Sequence, residues 1–330
     1  MPSEEAPQPA GDNGVNGDFN DGETAYPLPD ESETTSSGSA FYFRMVNGRR
    51  YHSYGMHNYF FPNDEHAQEL QVISHHLWTV ELDGKYFLAP VKNPQKILDL
   101  GTGTGLWATD VGNDFPLAEV KGIDISPIQL SCAPPNVTFE MDDYNAAWVD
   151  TPPRYDFIHA RELFGSVPNW PTLYEDIYKS LNPGGWFEHA ESQAKIFSID
   201  EASSPALTQW GPLLQEASLR NGMDYDMAHK IKGWMEDTGF IDVVERKVLR
   251  PIGGWSDDLK ERIIGQLNLL RLDTGVSDMS SWLLSQKMKW NQIQIDVFCA
   301  YVRLALHSTR FNSYQWAYVV YGRKPDIGWS

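Results

Sequence analysis

Cysteine is nearly absent from this chain of 330 residues, in which Cys132 and Cys299 are the only two. Two cysteines exclude the disulfide framework of a small secreted scaffold and fit a reducing compartment. Long hydrophobic runs are missing as well. No apolar stretch approaches the roughly 18 residues of a transmembrane helix, and the N-terminus has neither the basic flank nor the apolar core of a signal peptide. The sequence therefore predicts a soluble cytoplasmic protein, with a nuclear location left open.

Lysine and arginine are also scarce, because 26 of them oppose 45 aspartates and glutamates, for a formal net charge of −19. Residues 1–40 hold nine of the acidic residues and no Lys or Arg, which leaves 36 against 26, or −10, for the remainder. Surfaces that bind nucleic acids or anionic membranes are usually basic, so neither is an expected partner. The first forty residues also contain almost no apolar side chains and predict a disordered tail.

Glycine, by contrast, is concentrated in one turn, ILDLGTGTGLWATD, which begins at Ile97. Its apolar residues predict a strand buried on both faces, and Gly101, Gly103 and Gly105 mark a tight turn before a helix that begins near Thr104. Glycines let a ligand lie against bare backbone, and the free N–H groups at a helix start favour polar or charged ligand groups. The turn therefore predicts a nucleotide-type site.

Two other kinds of glycine-rich turn fit less well. A phosphate-binding P-loop requires Lys and then Ser or Thr after its last glycine, and Leu106 and Trp107 stand there instead. A dinucleotide fingerprint requires G-x-G-x-x-G, whereas Gly105 comes one residue too early. The P-loop is excluded, and an NAD-dependent oxidoreductase is disfavoured but stays open.

Acidic residues follow the next two predicted strands. Asp124 ends the strand 118–125, where an acid accepts hydrogen bonds from the ribose hydroxyls of an adenosine. Asp142 and Asp143 end the strand 137–144, where a carboxylate can receive an adenine amino group. A loop cap is the competing role of this pair.

Strands and helices alternate with short links through the middle of the chain, which predicts a parallel α/β sheet with right-handed crossovers and a ligand at the carboxyl ends of the strands. Further strands are predicted at Tyr155–Arg161 and Gly185–Glu191, with the helix Thr172–Leu181 between them. The later predicted elements are helices from Pro205 and Asp226, a strand Asp242–Arg250, helices Asp257–Leu272 and Asp278–Ser308, and a closing strand Gln315–Tyr321.

The pattern D-x-G-x-G-x-G resembles the first motif of class I S-adenosylmethionine-dependent methyltransferases. Together with GIDISPIQ, FEMDDY, SLNPGGWFEHAE and the N-terminal block YHSYGMHNYFFPNDE, it is similar over about residues 41–325 to the fungal LaeA-like group of that class. The resemblance implies a Rossmann-like α/β fold, with a seven-stranded, mostly parallel sheet, an antiparallel last strand and helical cap insertions. It also implies S-adenosylmethionine as the cofactor.

By position, the resemblance assigns the methionine end of the cofactor to Asp99 and the glycine turn, the ribose to Asp124, and the adenine to the segment that ends in Tyr144. The predicted cofactor-binding residues are Asp99, Gly101, Thr102, Gly103, Gly105, Asp124, Ile125, Asp142, Asp143, Tyr144 and Arg161. No metal is expected, because the adjacent His75 and His76 point about 100° apart on a helix.

The expected organisation is a disordered acidic tail and one methyltransferase domain. The predicted ranges are 1–40 for the tail and 41–330 for the domain, with an N-terminal lid and helical region at 41–90, a cofactor-binding core at 91–200, helical cap insertions with the sixth strand at 201–310, and the last strand at 311–330. Tyr51, His52 and Tyr59 are predicted parts of the lid.

Methyl transfer from a sulfonium depends mainly on alignment, and a general base adds about 10²–10⁴-fold for a hydroxyl nucleophile. His159 and His189, with Glu191 as an alternative, are the candidate catalytic residues at strand tips, and packing within the sheet is the competing role of each histidine. The favoured function is methylation of a small-molecule, secondary-metabolite-type O or N nucleophile. The alternatives are a LaeA-like regulator that acts through protein partners and a cofactor-bound enzyme that catalyses a rearrangement without methylation.

Overall fold

Ten strands and seven α-helices make up the part of the chain that the computed structural model describes, residues 43–55, 59–146, 148, 154–200 and 203–326. All of these residues belong to one unit, Ser39–Ser330. The predicted tail lies outside the described residues, so its disorder stays a prediction, as do the predicted boundaries within the domain.

The elements have the following bounds. The strands are β1 Arg44–Val46, β2 Arg49–Tyr51, β3 Lys96–Leu100, β4 Glu119–Asp124, β5 Val137–Met141, β6 Tyr155–Arg161, β7 Leu181–Ser192, β8 Phe197–Ser198, β9 Ile241–Pro251 and β10 Ser313–Arg323. The helices are α1 Glu65–Glu81, α2 Leu106–Asp114, α3 Trp170–Ser180, α4 Pro205–Leu219, α5 Ile231–Thr238, α6 Leu259–Met288 and α7 Gln292–Leu306, with a 3₁₀ turn at Ala228–Lys230.

The large sheet has its strands in the order β5, β4, β3, β6, β7, β10, β9, and the two-residue β8 pairs with the start of β10. The five strands from β3 to β7 pair in parallel. The last strand, β10, runs antiparallel to both β7 and β9. The predicted fold class, a mostly parallel seven-stranded sheet with an antiparallel last strand, is therefore confirmed, and the short β8 is an addition that the sequence pattern does not indicate.

Strand β3 lies in the middle of the parallel part of the sheet, which explains its apolar sequence. Its three apolar residues are at most 2% exposed, because helices cover both faces. On one face it packs with Trp107 of α2, and on the other with Tyr174 of α3. Asp99 is the acidic residue within this buried strand, so its carboxylate requires hydrogen-bond donors from its neighbours.

Helix α1 brings the N-terminal segment against the sheet. The carboxylate of Asp64 caps α1 by accepting the N–H of Ala67 at 3.2 Å. The same carboxylate binds the Arg49 guanidinium at 2.6 and 2.7 Å, which ties β2 to the start of the helix. Along its length α1 packs against α6, so this helix joins the N-terminal segment to the helical layer from the second half of the chain.

Helix α6 corrects the predicted break between the helices Asp257–Leu272 and Asp278–Ser308, because it runs without interruption for 30 residues. Gly275 lies inside it, where the missing side chain allows Leu70 of α1 to approach; a Cβ at this position would be 2.9 Å from Leu70 Cδ2. The break comes instead at Lys289, whose φ is +60°. None of the helices in the described ranges combines the length and apolar character that crossing a membrane requires.

Candidate functional site

The glycine turn opens onto a cavity at the carboxyl ends of β3, β4 and β6. Gly101, Thr102 and Gly103 line one side of it, and Asp124 and Ile125 line the adjacent side. The predicted residues Asp99, Tyr144, His159 and Arg161 line the same cavity. Nine of the predicted cofactor and catalytic residues are thus brought together in one place, as expected for strands whose ends meet at one edge of a sheet.

The glycine turn requires residues without a side chain. At Gly101 φ is +65°, and a Cβ would approach Leu163 Cδ2 to 2.4 Å. The N–H of Gly103 donates to Asp124 Oδ2 at 2.8 Å, and the N–H of Ser126 donates to Asp124 Oδ1 at 2.9 Å. Burial nevertheless raises the pKa of the Asp124 carboxyl to about 6. Additional hydrogen-bond donors at this carboxylate would therefore stabilise its charged form.

Asp99 is held by two donors from neighbouring elements. The Thr102 hydroxyl donates to Asp99 Oδ2 at 2.7 Å, and His159 Nδ1 donates to Asp99 Oδ1 at 2.8 Å. The His159 ring also stacks on Trp107, with 3.7 Å between the ring centroids. Burial lowers the pKa of His159, so the ring is neutral and its Nε2 carries the free lone pair.

The side chain of Arg161 forms a hydrogen bond to a neutral histidine ring. Its Nη2 donates to His75 Nδ1 at 3.0 Å, and His75 Nε2 donates to Asp110 Oδ2 at 2.8 Å. Burial, and then the charge of Arg161, lower the pKa of His75 to about 4, so this histidine carries no charge. Among the described residues, no carboxylate forms an ion pair with Arg161 within 4 Å. This arginine is therefore free to bind an anionic ligand group.

Glu162 follows β6 with a φ of +54°, which is uncommon for a residue other than glycine. Its carboxylate accepts bonds from the Ser74 hydroxyl at 2.6 Å and from Trp78 Nε1 and Ser192 Oγ at 3.1 Å each. Burial acts to raise the pKa of Glu162, but the charge of Arg271 and the Ser74 bond outweigh it, and the pKa lies below its ordinary value. The carboxylate is therefore ionised at the cavity wall.

Comparison with known proteins identifies the family. The sequence profile of a methyltransferase domain matches residues 79–245. The methyltransferase pytC of Aspergillus terreus is 36% identical over 280 residues, which cover 83% of this chain and 86% of that protein. The chain belongs to the methyltransferase family. Two proteins named laeA are also similar: the secondary metabolism regulator of Aspergillus fumigatus, 32% identical over 84% of this chain and 76% of that protein, and the protein-methionine methyltransferase of Emericella nidulans, 31% identical over 86% and 77%.

The predicted membership of class I S-adenosylmethionine-dependent methyltransferases, in the LaeA-like group, is thereby confirmed, and S-adenosylmethionine is the cofactor of this methyltransferase. The roles of individual residues toward that cofactor stay predictions. No group of three or more His, Cys, Asp or Glu in the described part of the chain is arranged to hold a metal ion.

Two of the three candidate catalytic residues lie away from the cavity of this methyltransferase. His189 and Glu191 point to the opposite face of the sheet and are fully buried. The Tyr174 hydroxyl donates to His189 Nδ1 at 2.8 Å, and His189 Nε2 donates to Glu191 Oε1 at 3.1 Å. Burial lowers the pKa of His189 to about 3 and raises that of Glu191 well above its ordinary value. Since Glu191 Oε1 also accepts the Leu163 N–H at 2.6 Å, the pair supports the backbone that follows β6.

Three predicted cofactor residues are also outside the cavity lining. Gly105 is the N-cap residue before α2, and a Cβ there would lie 2.5 Å from the ring of Phe139, so this glycine serves packing against the sheet. The carboxylates of Asp142 and Asp143 accept backbone N–H groups of Asp143 and Asn145 at 2.9 Å, as in the loop cap that the sequence left open.

The N-terminal segment covers part of the cavity. Tyr59 lines it together with Phe61 and Asn63, whereas the other two predicted lid residues, Tyr51 and His52, do not. Asn63 Nδ2 donates to Ser126 Oγ at 3.1 Å, which joins this segment to the loop after β4. The lid itself stays a prediction.

Several lining residues escape motif-based prediction. Gln71, Ser74 and His75 of α1 face the cavity at i, i+3 and i+4, and this helical spacing is a signal that the sequence does contain. Arg271 and Met279 reach the cavity from α6, in a stretch that matches no motif. Only the packing of α6 against α1 brings them to the site.

Proposed function

We propose that this protein transfers the methyl group of S-adenosylmethionine to an oxygen or nitrogen nucleophile of a small molecule. The observation that supports the proposal is one cavity whose lining runs from Asp124 and the glycine turn to Phe164, Arg271 and Met279. Its walls come from the cofactor-binding core on one side and from α6 and the N-terminal segment on the other. Such a partly apolar, concave space suits a small organic acceptor better than an extended chain.

The residues present fit the cofactor. Gly101 and Gly103 border the cavity where the methionine end of the cofactor would lie, and Asp124 offers a carboxylate to the ribose hydroxyls. The aromatic ring of Tyr144 lies beside this acid in the lining, next to the proposed adenine position. We assign the carboxylate of the cofactor to Arg161, because a guanidinium and a carboxylate form strong paired hydrogen bonds.

The cofactor supplies an electrophilic methyl group on a sulfonium, whose leaving group is neutral. The protein's contribution is alignment of the acceptor, which can be worth about 7–11 kcal/mol. Of the candidate bases only His159 lines the cavity, so we propose it as the group that takes the proton of a hydroxyl acceptor. Asp99 would then hold the ring and stabilise the charge that forms on it, as an acid does in a catalytic triad.

The proposal is tested by incubating the full chain with S-adenosylmethionine labelled in the methyl group and separate small-molecule and protein fractions of a fungal extract. We expect label in a small molecule whose mass rises by the roughly 14 Da of a methylene, and none when Asp124 is replaced by Ala. Product formation without this gain in mass would contradict methyl transfer. Label in the protein fraction alone would contradict a small-molecule acceptor.

A second candidate function is regulation through protein partners. It is favoured by the names of the laeA relatives and by α7, which exposes Ile293, Val297, Tyr301 and Leu304 along one side. An exposed apolar stripe of this kind is typical of a protein-binding surface. In the same labelling experiment this candidate function requires a labelled protein. In a binding measurement it requires a partner protein that binds the unaltered chain and loses affinity when Val297 and Tyr301 are replaced by Ser.

A further inference from the structure

A second, smaller cavity adjoins the cofactor cavity. Phe164, Arg271 and Met279 line both cavities and form the wall between them. The rest of the second cavity is mainly aromatic and aliphatic, and no residue of the glycine turn borders it. Its volume of about 20 Å³ accommodates a group about the size of a water molecule. The two cavities are therefore adjacent, and Arg271 borders both of them.

Arg271 is the charged residue of this wall, and its hydrogen bonds are long. It is 2% exposed. Its nitrogens lie 3.3–3.4 Å from Asn268 Oδ1, 3.3 Å from Gln315 Oε1 and 3.4 Å from Glu162 Oε1. Two of these partners are neutral amides, and the carboxylate of Glu162 is already engaged by the shorter Ser74 bond of 2.6 Å. Hydrogen bonds between a cation and an oxygen anion are usually about 2.7–2.9 Å long.

Arg250, a neighbouring buried arginine, has shorter hydrogen bonds and a carboxylate partner of its own. Its guanidinium forms a two-point ion pair with Glu81, in which one contact measures 2.5 Å, and it donates to Ser192 Oγ at 2.7 Å. Arg271 has no comparable partner among the described residues. A guanidinium carries five donors in a planar fork, and the four long bonds leave one N–H of Arg271 unused. A planar anion with two oxygens would bind Arg271 by taking this N–H and replacing one of the long bonds.

We propose that Arg271 binds a carboxylate, or an equivalent planar anion, of the methyl acceptor at the wall between the two cavities. The inference rests on the proposed function, because it requires the first cavity to hold the cofactor and the acceptor together. The aromatic residues Tyr59, Phe61 and Phe164 of the first cavity suit an acceptor with a flat apolar body. The acceptor class is thus a small aromatic or unsaturated acid.

The cofactor also has a carboxylate, so the cofactor carboxylate and the acceptor carboxylate must each be assigned to an arginine. Arg161 ends β6 beside the glycine turn and lines only the first cavity. Arg271 comes from α6 and also borders the second cavity, which no residue of the glycine turn lines. We therefore assign the cofactor carboxylate to Arg161 and the acceptor carboxylate to Arg271.

Benzoate and its neutral isostere benzamide test the site in the full chain saturated with S-adenosylhomocysteine, with binding followed by ligand-detected NMR. We expect the unaltered protein to bind benzoate at least about tenfold more tightly than benzamide, since hydrogen bonds to charged groups are the strong ones. Arg271→Gln should remove this preference, and Arg246→Gln, at an exposed position on β9, should retain it. Equal binding of the two probes by the unaltered protein overturns the inference without any variant.

The source of the bound carboxylate is tested with S-adenosylhomocysteine and 5′-methylthioadenosine, which lacks the amino-acid part. We expect Arg161→Gln to lose the preference for S-adenosylhomocysteine and Arg271→Gln to keep it. Loss in Arg271→Gln would place the cofactor carboxylate on Arg271 and overturn the assignment. Arg271→Lys, which keeps the charge, reports whether a loss reflects misfolding. Failure of the unaltered protein to bind S-adenosylhomocysteine would refute the proposed function itself, and the inference with it.

Discussion

At the tip of β4, the Asp124 carboxylate accepts two backbone N–H groups and still has a pKa of about 6. Two hydrogen bonds therefore do not offset the cost of burying its charge. Ribose hydroxyls would add donors to the ionised form, so cofactor binding and ionisation of Asp124 favour each other. Asp99 differs, because Thr102 and His159 already donate to both of its oxygens. The cofactor should therefore affect the titration of Asp124.

The affinity for S-adenosylhomocysteine should therefore depend on pH through Asp124. We expect a nearly constant affinity above pH 7 and a decrease of up to about tenfold per pH unit as the pH falls below 6, because the protonated acid accepts fewer hydrogen bonds. Asp124→Asn should flatten this dependence and weaken binding at pH 7.5 by about 10- to 100-fold. Calorimetric titrations between pH 5 and 8 measure both effects.

The control for Asp124 is Asp114→Asn, at an exposed position at the end of α2. This variant should keep the pH dependence of the unaltered protein. His75, with a pKa of about 4, and Glu188, with a pKa of about 7, titrate in both proteins, so the difference between the profiles isolates Asp124. A pH profile that Asp124→Asn leaves unchanged would contradict the assignment.

Among the elements, α6 lines the site with Arg271 and Met279 and is the helix in which the sequence wrongly predicts a break. Its glycines have different functions. Gly275 allows α1 to approach, whereas at Gly265 a Cβ would lie 2.0 Å from the carbonyl oxygen of Gly253. The N–H of Gly253 also donates to the Gly265 carbonyl at 2.8 Å, so backbone meets backbone here. Because both sides of this contact are backbone, neither segment can relieve the clash by changing a side-chain rotamer.

Gly265→Ala should therefore destabilise the protein by at least about 2 kcal/mol, since overpacking against rigid neighbours costs about 1–3 kcal/mol or more. The matched control is Gly233→Ala in α5, where no atom lies within 4 Å of the added Cβ and the residue is exposed. That change should stabilise the fold by about 0.5–1 kcal/mol, because alanine is the better helix former. Urea unfolding measures both, and a stabilising effect at Gly265 would show that α6 can shift.

Across the whole molecule, a buried ion pair joins segments distant in sequence. Arg250 of β9 and Glu81 of α1 are 169 residues apart, and both side chains are fully buried. The Arg250 guanidinium also lies 4.3 Å from the ring centroid of Trp78. This pair joins the N-terminal helix to the edge of the sheet formed by the last strands. A pair so buried stabilises only while both partners are present.

Glu81→Gln should destabilise the protein by about 3–5 kcal/mol, because it leaves the charge of Arg250 buried without its partner. The double variant Glu81→Leu with Arg250→Met should recover much of this loss, since apolar residues of similar size avoid the burial of charge. A double-mutant cycle in urea, completed by the single variants Glu81→Leu and Arg250→Met, measures the coupling between the two positions. A double variant as unstable as the sum of the single changes would show that the pair has no such coupling.

The sequence alone determined the glycine turn, the acid at the tip of β4, the mostly parallel sheet and the methyltransferase family. Each of these depends on a local requirement. Glycine is required where φ is positive and space is short, as at Gly101, and a buried parallel strand requires an apolar run such as that of β3. These signals lie within a few residues of one another, so the sequence shows them directly.

Only the tertiary structure decided which polar residues reach the cavity. His159 and His189 both lie near strand tips, but strand alternation places them on opposite faces, and which face borders the cavity depends on the helices that cover the sheet. Arg271 meets Glu162 across 109 residues of sequence because α6 packs on α1 without a break at Gly275. Such contacts depend on the packing of distant elements, and no local pattern in the sequence encodes them.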